Sequence, residues 1–287
     1  MRLSRVKKVG TVFFAGLLMF GALATAGCGK QEASAPPQQP TPALSGTLTV
    51  AGSTSVQPFS DLLAEEFMAA NKEVQINVQG GGSSVGIESA VSGAAGIGAV
   101  SRSVTSEEKA KGLVDTIIAL DGIAIVVHPS NAISSISTAD VMNIYLGNIK
   151  NWKQLGGLDA PITVVTREDG SGTREAFTSL VMNKKDIIST AIVQNSTGAV
   201  RTTVAGDKNA IGYVSLSSLN QEVKALQVDE IAANETNVKN GTYKLQRPFI
   251  YVTKGEPSGL AKAFIDYVLS PQGQQLIVEE GAITVSK

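Results

Sequence analysis

The chain has 287 residues, of which 43% are hydrophobic, a length and apolar content that suit two compact domains and exclude a wholly disordered polymer. Its 24 basic and 25 acidic side chains give no cationic excess of the kind nucleic acid requires. One histidine and one cysteine exclude both a disulfide framework and a metal centre built from His or Cys clusters.

The first residues, "MRLSRVKK", are cationic and lead into the uncharged run "VGTVFFAGLLMFGALATAG", the pattern of a bacterial export signal over residues 1–27. A membrane-spanning anchor is the rival reading, since the run is nearly long enough to span, but it ends in small residues and Cys28. "ATAGCGK" resembles a lipoprotein processing site, at which the cysteine becomes the lipid-bearing first residue of the mature chain, although Thr25 stands where such sites usually carry leucine. An acyl anchor on Cys28 would hold by burying CH₂ groups at about 0.8 kcal/mol each. Removing Arg2, Arg5, Lys7 and Lys8 with the signal leaves a mature charge of about −5. Residues 28–45, rich in Pro, Ala, Gln and Ser, form a flexible tether.

From Gly46 onward, short β-branched runs alternate with helix-period segments, which predicts an α/β fold. "GTLTVAG" is a strand, "PFSDLLAEEFMAAN" a helix, "VQINVQG" a strand, "SVGIESAVSG" a helix and "AGIGAVS" a strand. The apolar run "IIALDGIAIVVHP" follows, then a helix in "STADVMNIYLGNI" capped by Ser137 or Thr138. "PITVVTRE", "AIVQN", "AIGYVSLSSL" and "RPFIYVTKG" complete the strands, and the terminal helical stretch breaks near Pro271. Two groups of βα units joined by long strands predict two lobes, residues 46–125 with 250–287 and residues 126–249, hinged at "GIAIVVHP" and "PFIYVTKG".

Three strand-to-helix corners share one chemistry: Gly52 to Ser55 in "VAGSTSVQPF", Gly80 to Ser84 in "VQGGGSSVGI", and Gly170 to Thr173 in "TREDGSGTRE". The first N–H groups of a helix lack intrahelical acceptors and carry the positive end of its dipole, so such corners attract anions. Ser and Thr also cap ordinary helices, but capping does not call for clusters such as "GGGSS" and "GSGT". Arg167 adds a two-pronged cation beside the third corner, with Glu168 and Asp169 expected to hold it, Asp169 as the favoured brace, and Arg174 a solvent-facing ion-pair member. No G-x-x-x-x-G-K-[ST] phosphate loop is present. "GSSVG" at Gly82 to Gly86 matches a nucleophile-elbow pattern, but a serine hydrolase would have to recruit His128, the only histidine, at the end of an apolar run. Binding without chemistry is the stronger reading.

These residues resemble the phosphate-binding subunits of bacterial phosphate ABC transporters, the PstS type of periplasmic binding protein. The likeness runs from Gly46 to Val285 through "AGSTSVQP", "GGGSSVGI", "LDGIAIVV", "IYLGNIKNWKQLGG", "TREDGSGTREAF" and "FIDYVLSPQGQQLI". It implies a two-lobed periplasmic-binding-protein fold (type II), with mixed sheets flanked by helices and two hinge crossovers. It further implies a monomer without catalysis or cofactor that closes on inorganic phosphate outside the cytoplasm and delivers it to permease and ATPase subunits. The ligands it implies are Thr54 and Ser55, with Ser53 as a neighbouring donor, Ser83 and Ser84, and Arg167, Ser171, Gly172 and Thr173; Trp152 is implied to be packing. Another tetrahedral oxyanion, sulfate or molybdate, and a phosphate sensor are the competing readings. One departure stands out: the family's usual aspartate, acceptor of the phosphate proton, is Arg102 here, in "VSRSV", a second cation expected at the phosphate that would strengthen anion binding but removes the acceptor. Asp121, a carboxylate in an apolar run, either takes over that acceptor role beside Arg102 or only pairs with Arg102.

Overall fold

In the computed structural model, residues 44–285 are described; the export signal, Cys28 and the tether up to residue 43 lie outside them. In chain order the elements are β1 (Gly46–Gly52), α1 (Gln57–Ala70), β2 (Val74–Gly80), α2 (Ser83–Ser92), β3 (Ile97–Val100), α3 (Ser106–Lys109) and β4 (Leu113–Val127). The middle of the chain adds β5 (Ser135–Ile136), α4 (Thr138–Tyr145), β6 (Thr163–Arg167), α5 (Gly172–Leu180), β7 (Ile192–Gln194), α6 (Thr197–Gly206) and β8 (Ala210–Ser215). After these come β9 (Lys224–Ala225), β10 (Gln227–Val228), α7 (Glu235–Lys239), β11 (Gln246–Lys254), α8 (Gly259–Val268) and α9 (Pro271–Glu279). The expected α/β alternation is present, and Ser137 caps α4 by accepting from the Asp140 N–H.

The main strands lie in the order β2-β1-β3-β11-β4-β8-β6-β7. Parallel pairs join β1 to β2 and β3, and β6 to β7 and β8, as helical crossovers demand. The two strands expected as hinges, β4 and β11, run antiparallel to each other in the middle of this path. The partner of β4 changes within the strand: Leu113–Gly122 faces β11, and Ile123–Val127 faces β8.

Burial on both faces explains why β4 and β11 read as continuous apolar runs rather than alternating ones. Ile123, Ile125 and Val127 pack with Tyr145, Trp152, Phe177 and Tyr213 on one face, while Ala124 and Val126 pack with Val165, Val200 and Val204 on the other. Along β11, Phe249 and Tyr251 join the core of β1, α1 and α8, while Ile250 and Val252 meet Ile87, Val100 and Val104. The indole of Trp152 is buried in the first of these cores and donates to the Asn209 carbonyl at 3.0 Å, so its role is packing, as expected. Among the described residues, no helix is long and apolar enough to cross a membrane.

Gly52 ends β1 at φ +140°, where a Cβ would stand 2.2 Å from the Ala99 carbonyl oxygen. This close approach lets the chain leave β1 directly beneath β3, with the Ser53 N–H bonded to that same oxygen at 2.8 Å. Gly52→Ala is expected to lower the unfolding free energy by about 1–3 kcal/mol; urea titration checks this, and a parental midpoint would contradict it.

Candidate anion-binding site

Four strand-to-helix corners meet at one point, one more than the sequence reading anticipated. In the first, β1 to α1, the Ser and Thr hydroxyls do not cap the helix: α1 starts after Val56 with no side-chain cap, and the Val56 and Gln57 N–H groups turn back to the Ser53 carbonyl. The Ser53 Oγ accepts from the Ser55 N–H at 3.2 Å. The Ser55 Oγ, fully buried, reaches Thr173 Oγ1 at 2.9 Å and Thr197 Oγ1 at 2.8 Å. Thr173 opens α5, where the Ser171 Oγ is the cap, and Thr197 opens α6, where Ser196 is the cap. The Thr54 hydroxyl accepts from the Thr197 N–H at 3.3 Å, so the first and fourth corners touch through backbone as well.

The second corner, β2 to α2, braces the third. The Ser84 N–H donates to the Gly170 carbonyl at 3.1 Å, and the Ser83 Oγ accepts from the Ser101 N–H at 3.0 Å. Gly172 lies so close to these serines that a Cβ there would stand 2.1 Å from the Ser83 Oγ. Ser53, Thr54, Ser55, Ser83, Ser84, Ser171, Gly172 and Thr173 are thus gathered at the corners' junction.

Two guanidinium groups meet the three hydroxyls. Arg167, 1% exposed, donates through Nη1 to Thr197 Oγ1 at 3.1 Å. Its Nε and Nη2 hold the Glu168 carboxylate at 2.8 and 2.7 Å. The expected brace, Asp169, is instead exposed and pairs with Arg174 at 2.9 Å, because the turn before α5 points it outward. Arg174 also donates to the Arg167 carbonyl at 3.0 Å, so it splints the turn as well as pairing at the surface.

The second guanidinium is Arg247, at the start of β11, which the sequence reading passed over. It donates to Thr173 Oγ1 at 2.7 Å, to Ser55 Oγ at 3.2 Å and to the Ser101 carbonyl at 3.1 Å. Its counter-ion is Asp121, fully buried on β4, whose Oδ2 accepts from Nε at 3.1 Å and Nη2 at 3.0 Å while Oδ1 accepts from the Ser215 hydroxyl at 2.7 Å. Burial pushes the Asp121 carboxyl up and the Arg247 guanidinium down, and each partner opposes the other's shift.

Asp121 therefore does not pair with Arg102. The Arg102 guanidinium turns to Glu108, which it grips with two bonds of 2.8 Å, and to Glu175, 2.6 Å from its Nε. Two carboxylates neutralise that cation, which corrects the expectation that Arg102 adds a second cation to the anion site. His128 likewise stands apart from Ser84: its Nδ1 is engaged by the hydroxyl and N–H of Ser130, two residues on, at 2.7 and 3.0 Å.

The missed residues left unequal signals. "VQNSTGAV" before Thr197 is a fourth strand, Ser/Thr/Gly, helix corner of the kind already recognised. Arg247 in "QRPFIYV" is a cation opening an apolar strand, a local context that says nothing of a partner 126 residues away.

A family model described as a PBP superfamily domain matches residues 37–272. The phosphate-binding protein PstS of Bacillus subtilis (strain 168) is 39% identical over 248 residues, covering 84% of this chain and 82% of its own. The chain belongs to the PstS family of this superfamily. Among solved structures, a substrate-binding protein assigned to a phosphate ABC transporter of Clostridium perfringens, with bound phosphate, is 41% identical with a TM-score of 0.82, covering 84% of this chain and 100% of that one. An ABC-type phosphate transport receptor from Vibrio cholerae is 38% identical with a TM-score of 0.71, covering 83% and 100%. As in these relatives, the fold is mixed α/β with helices flanking a mixed sheet.

The Arg102 cluster gives a pH prediction. Burial pushes Glu108 up, but hydrogen bonds from Arg102 and Thr105 more than offset this and hold it below the usual carboxylate range. A depressed folded value stabilises above the unfolded value and loses that contribution as pH falls through the folded one. Glu108→Gln is expected to be about 1 kcal/mol less stable than the parent at neutral pH. In melting curves against pH that difference should shrink under acid conditions; a constant difference would contradict the pairing.

Proposed function

We propose that this protein binds inorganic phosphate outside the cytoplasm and delivers it to the permease and ATPase subunits of an ABC importer, without catalysing a reaction. The observation that carries this is the meeting of three buried hydroxyls, Ser55, Thr173 and Thr197, with the two guanidinium groups of Arg167 and Arg247. Such a cluster offers many hydrogen-bond donors in a dry place, where a charge-assisted bond to an oxyanion is strongest. The phosphate named or bound in the Bacillus, Clostridium and Vibrio relatives supports this choice of anion.

In this reading Ser53, Thr54, Ser55, Ser83, Ser84, Arg167, Ser171, Gly172 and Thr173 form the phosphate site, joined by Thr197. Asp121 acts through Arg247, and Arg102 acts outside the site. Residues 46–125 with 250–287 form one lobe and residues 126–249 the other. Ser55 on one side and Thr173 and Thr197 on the other are then the groups that ligand closure brings together. The protein acts as a monomer, and the export signal and Cys28 place it, held by a lipid, at the outer face of the cytoplasmic membrane or in the periplasm, with residues 28–45 as the tether.

Calorimetric titration with phosphate, sulfate and molybdate tests the anion, with phosphate expected to bind most tightly. Arg167→Ala removes the cation that touches Thr197 and should weaken phosphate binding by on the order of 2–4 kcal/mol; parental affinity in that variant would overturn the site. The anchor has its own measurement: Cys28→Ser protein should leave the detergent phase for the aqueous one, and an unchanged membrane fraction would refute lipidation.

A further inference from the structure

The phosphate reading makes Arg167 the direct cation of the site and includes Arg247 without saying how it acts. Arg247 is 3% exposed, and the five N–H groups of its guanidinium make five hydrogen bonds to four acceptor atoms. Nε and one Nη2 proton go to Asp121 Oδ2, at 3.1 and 3.0 Å. One Nη1 proton goes to the Ser101 carbonyl at 3.1 Å and the other to Thr173 Oγ1 at 2.7 Å, and the remaining Nη2 proton goes to Ser55 Oγ at 3.2 Å. No N–H is left over for a ligand.

A hydroxyl has one proton to give. When its oxygen already accepts from a guanidinium, which stays protonated at any physiological pH, that proton is free to point at another acceptor. Arg247 imposes this polarity on Ser55 and Thr173, and Arg167 imposes it on Thr197. Two of the three hydroxyl protons serve the Ser55–Thr173 and Ser55–Thr197 contacts at 2.9 and 2.8 Å, and an oxyanion, the stronger acceptor, draws them away from those neutral bonds. We propose, building on the phosphate reading, that Arg247 is a positioning residue which, anchored on Asp121, fixes the hydroxyls of Ser55 and Thr173 as donors toward the bound oxyanion.

Its own surroundings fix the guanidinium plane. Two bonds to one oxygen of Asp121 set its edge, the Ser215 hydroxyl holds the other carboxylate oxygen at 2.7 Å, and the Phe249 ring centre lies 5.4 Å from the guanidinium carbon. A lysine ammonium at the same place keeps the charge but, as a compact group with three donors, cannot span Asp121, the Ser101 carbonyl and two hydroxyls at once.

A double-mutant cycle of Arg247→Lys and Ser55→Ala, read by phosphate calorimetry, separates this role from a simple charge effect. Arg247→Lys is expected to weaken binding at least tenfold in the parent, and at least threefold less than that in the Ser55→Ala background, since half of its route to the anion is already gone. Equal costs in both backgrounds, or parental affinity for Arg247→Lys, would overturn the role. Asp121→Asn replaces Arg247→Lys in the cycle, with the same expectation, should the lysine variant fail to melt cooperatively. A parental protein that takes up no phosphate overturns the proposed function and this role together, whereas phosphate binding with additive costs overturns this role alone.

Discussion

A guanidinium can be buried only if its charge is met and its donors are filled, and this molecule meets that constraint at Arg167 and Arg247 in adjoining places. Glu168 answers the first from the next residue in the chain, and Asp121 answers the second from the middle of β4. Satisfying both cations uses up the carboxylates nearby and leaves the remaining guanidinium donors aimed at hydroxyls. The site's surplus is therefore in donors, which is the electrical character an oxyanion requires. Removing either carboxylate would leave an uncompensated cation in a dry interior, so the pairs constrain the fold itself.

The sheet supplies the rigidity this arrangement needs. Because β4 and β11 are paired to each other and buried around Asp121 and Arg247, these two residues sit opposite one another in the register, a position that side-chain motion alone cannot undo. The corners carrying Ser55, Thr173 and Thr197 each leave a strand of the same sheet path, β1, β6 and β7, and deliver helix starts to one point. Gly52 and Gly172 permit the approach, the first beneath the Ala99 carbonyl and the second against Ser83. The contacts between Ser55 and the two threonines join segments 118 and 142 residues apart, so the hydroxyl cluster exists only when distant parts of the chain are brought together.

Arg102 shows how a cation near such a site can be kept out of it. Arg102, just beyond β3, is held by Glu108 and Glu175, one from α3 and one from the first turn of α5. Glu175 is pushed up by its own burial, against the pull of Arg102, so of the two carboxylates it is the one poised to take a proton first as pH falls. The cluster ties the segment after β3 to the helix that presents Thr173, and its charge is spent on that tie.

Much of this was legible along the chain because it depends on neighbours in sequence. Strand and helix periods, the Gly, Ser and Thr corners, and the likeness to the PstS family all rest on residues within a few positions of one another, and the matching fold follows from them. Even Thr197 left a local trace in "NSTGAV". Which carboxylate meets which guanidinium left none. Asp169 and Glu168 are adjacent and chemically alike, and only the direction of the turn before α5 sends one outward and the other onto Arg167. Asp121 was visible as a costly charge in an apolar strand, yet its partner is Arg247 rather than Arg102, because strand register, a tertiary property, decides which cation lies across from it. The sequence by itself determined the corners and their helix-start donors, the kind of place that draws anions; the tertiary structure alone decided which charges remain available there, since ion pairing in a buried site is settled by geometry between segments that no local pattern relates.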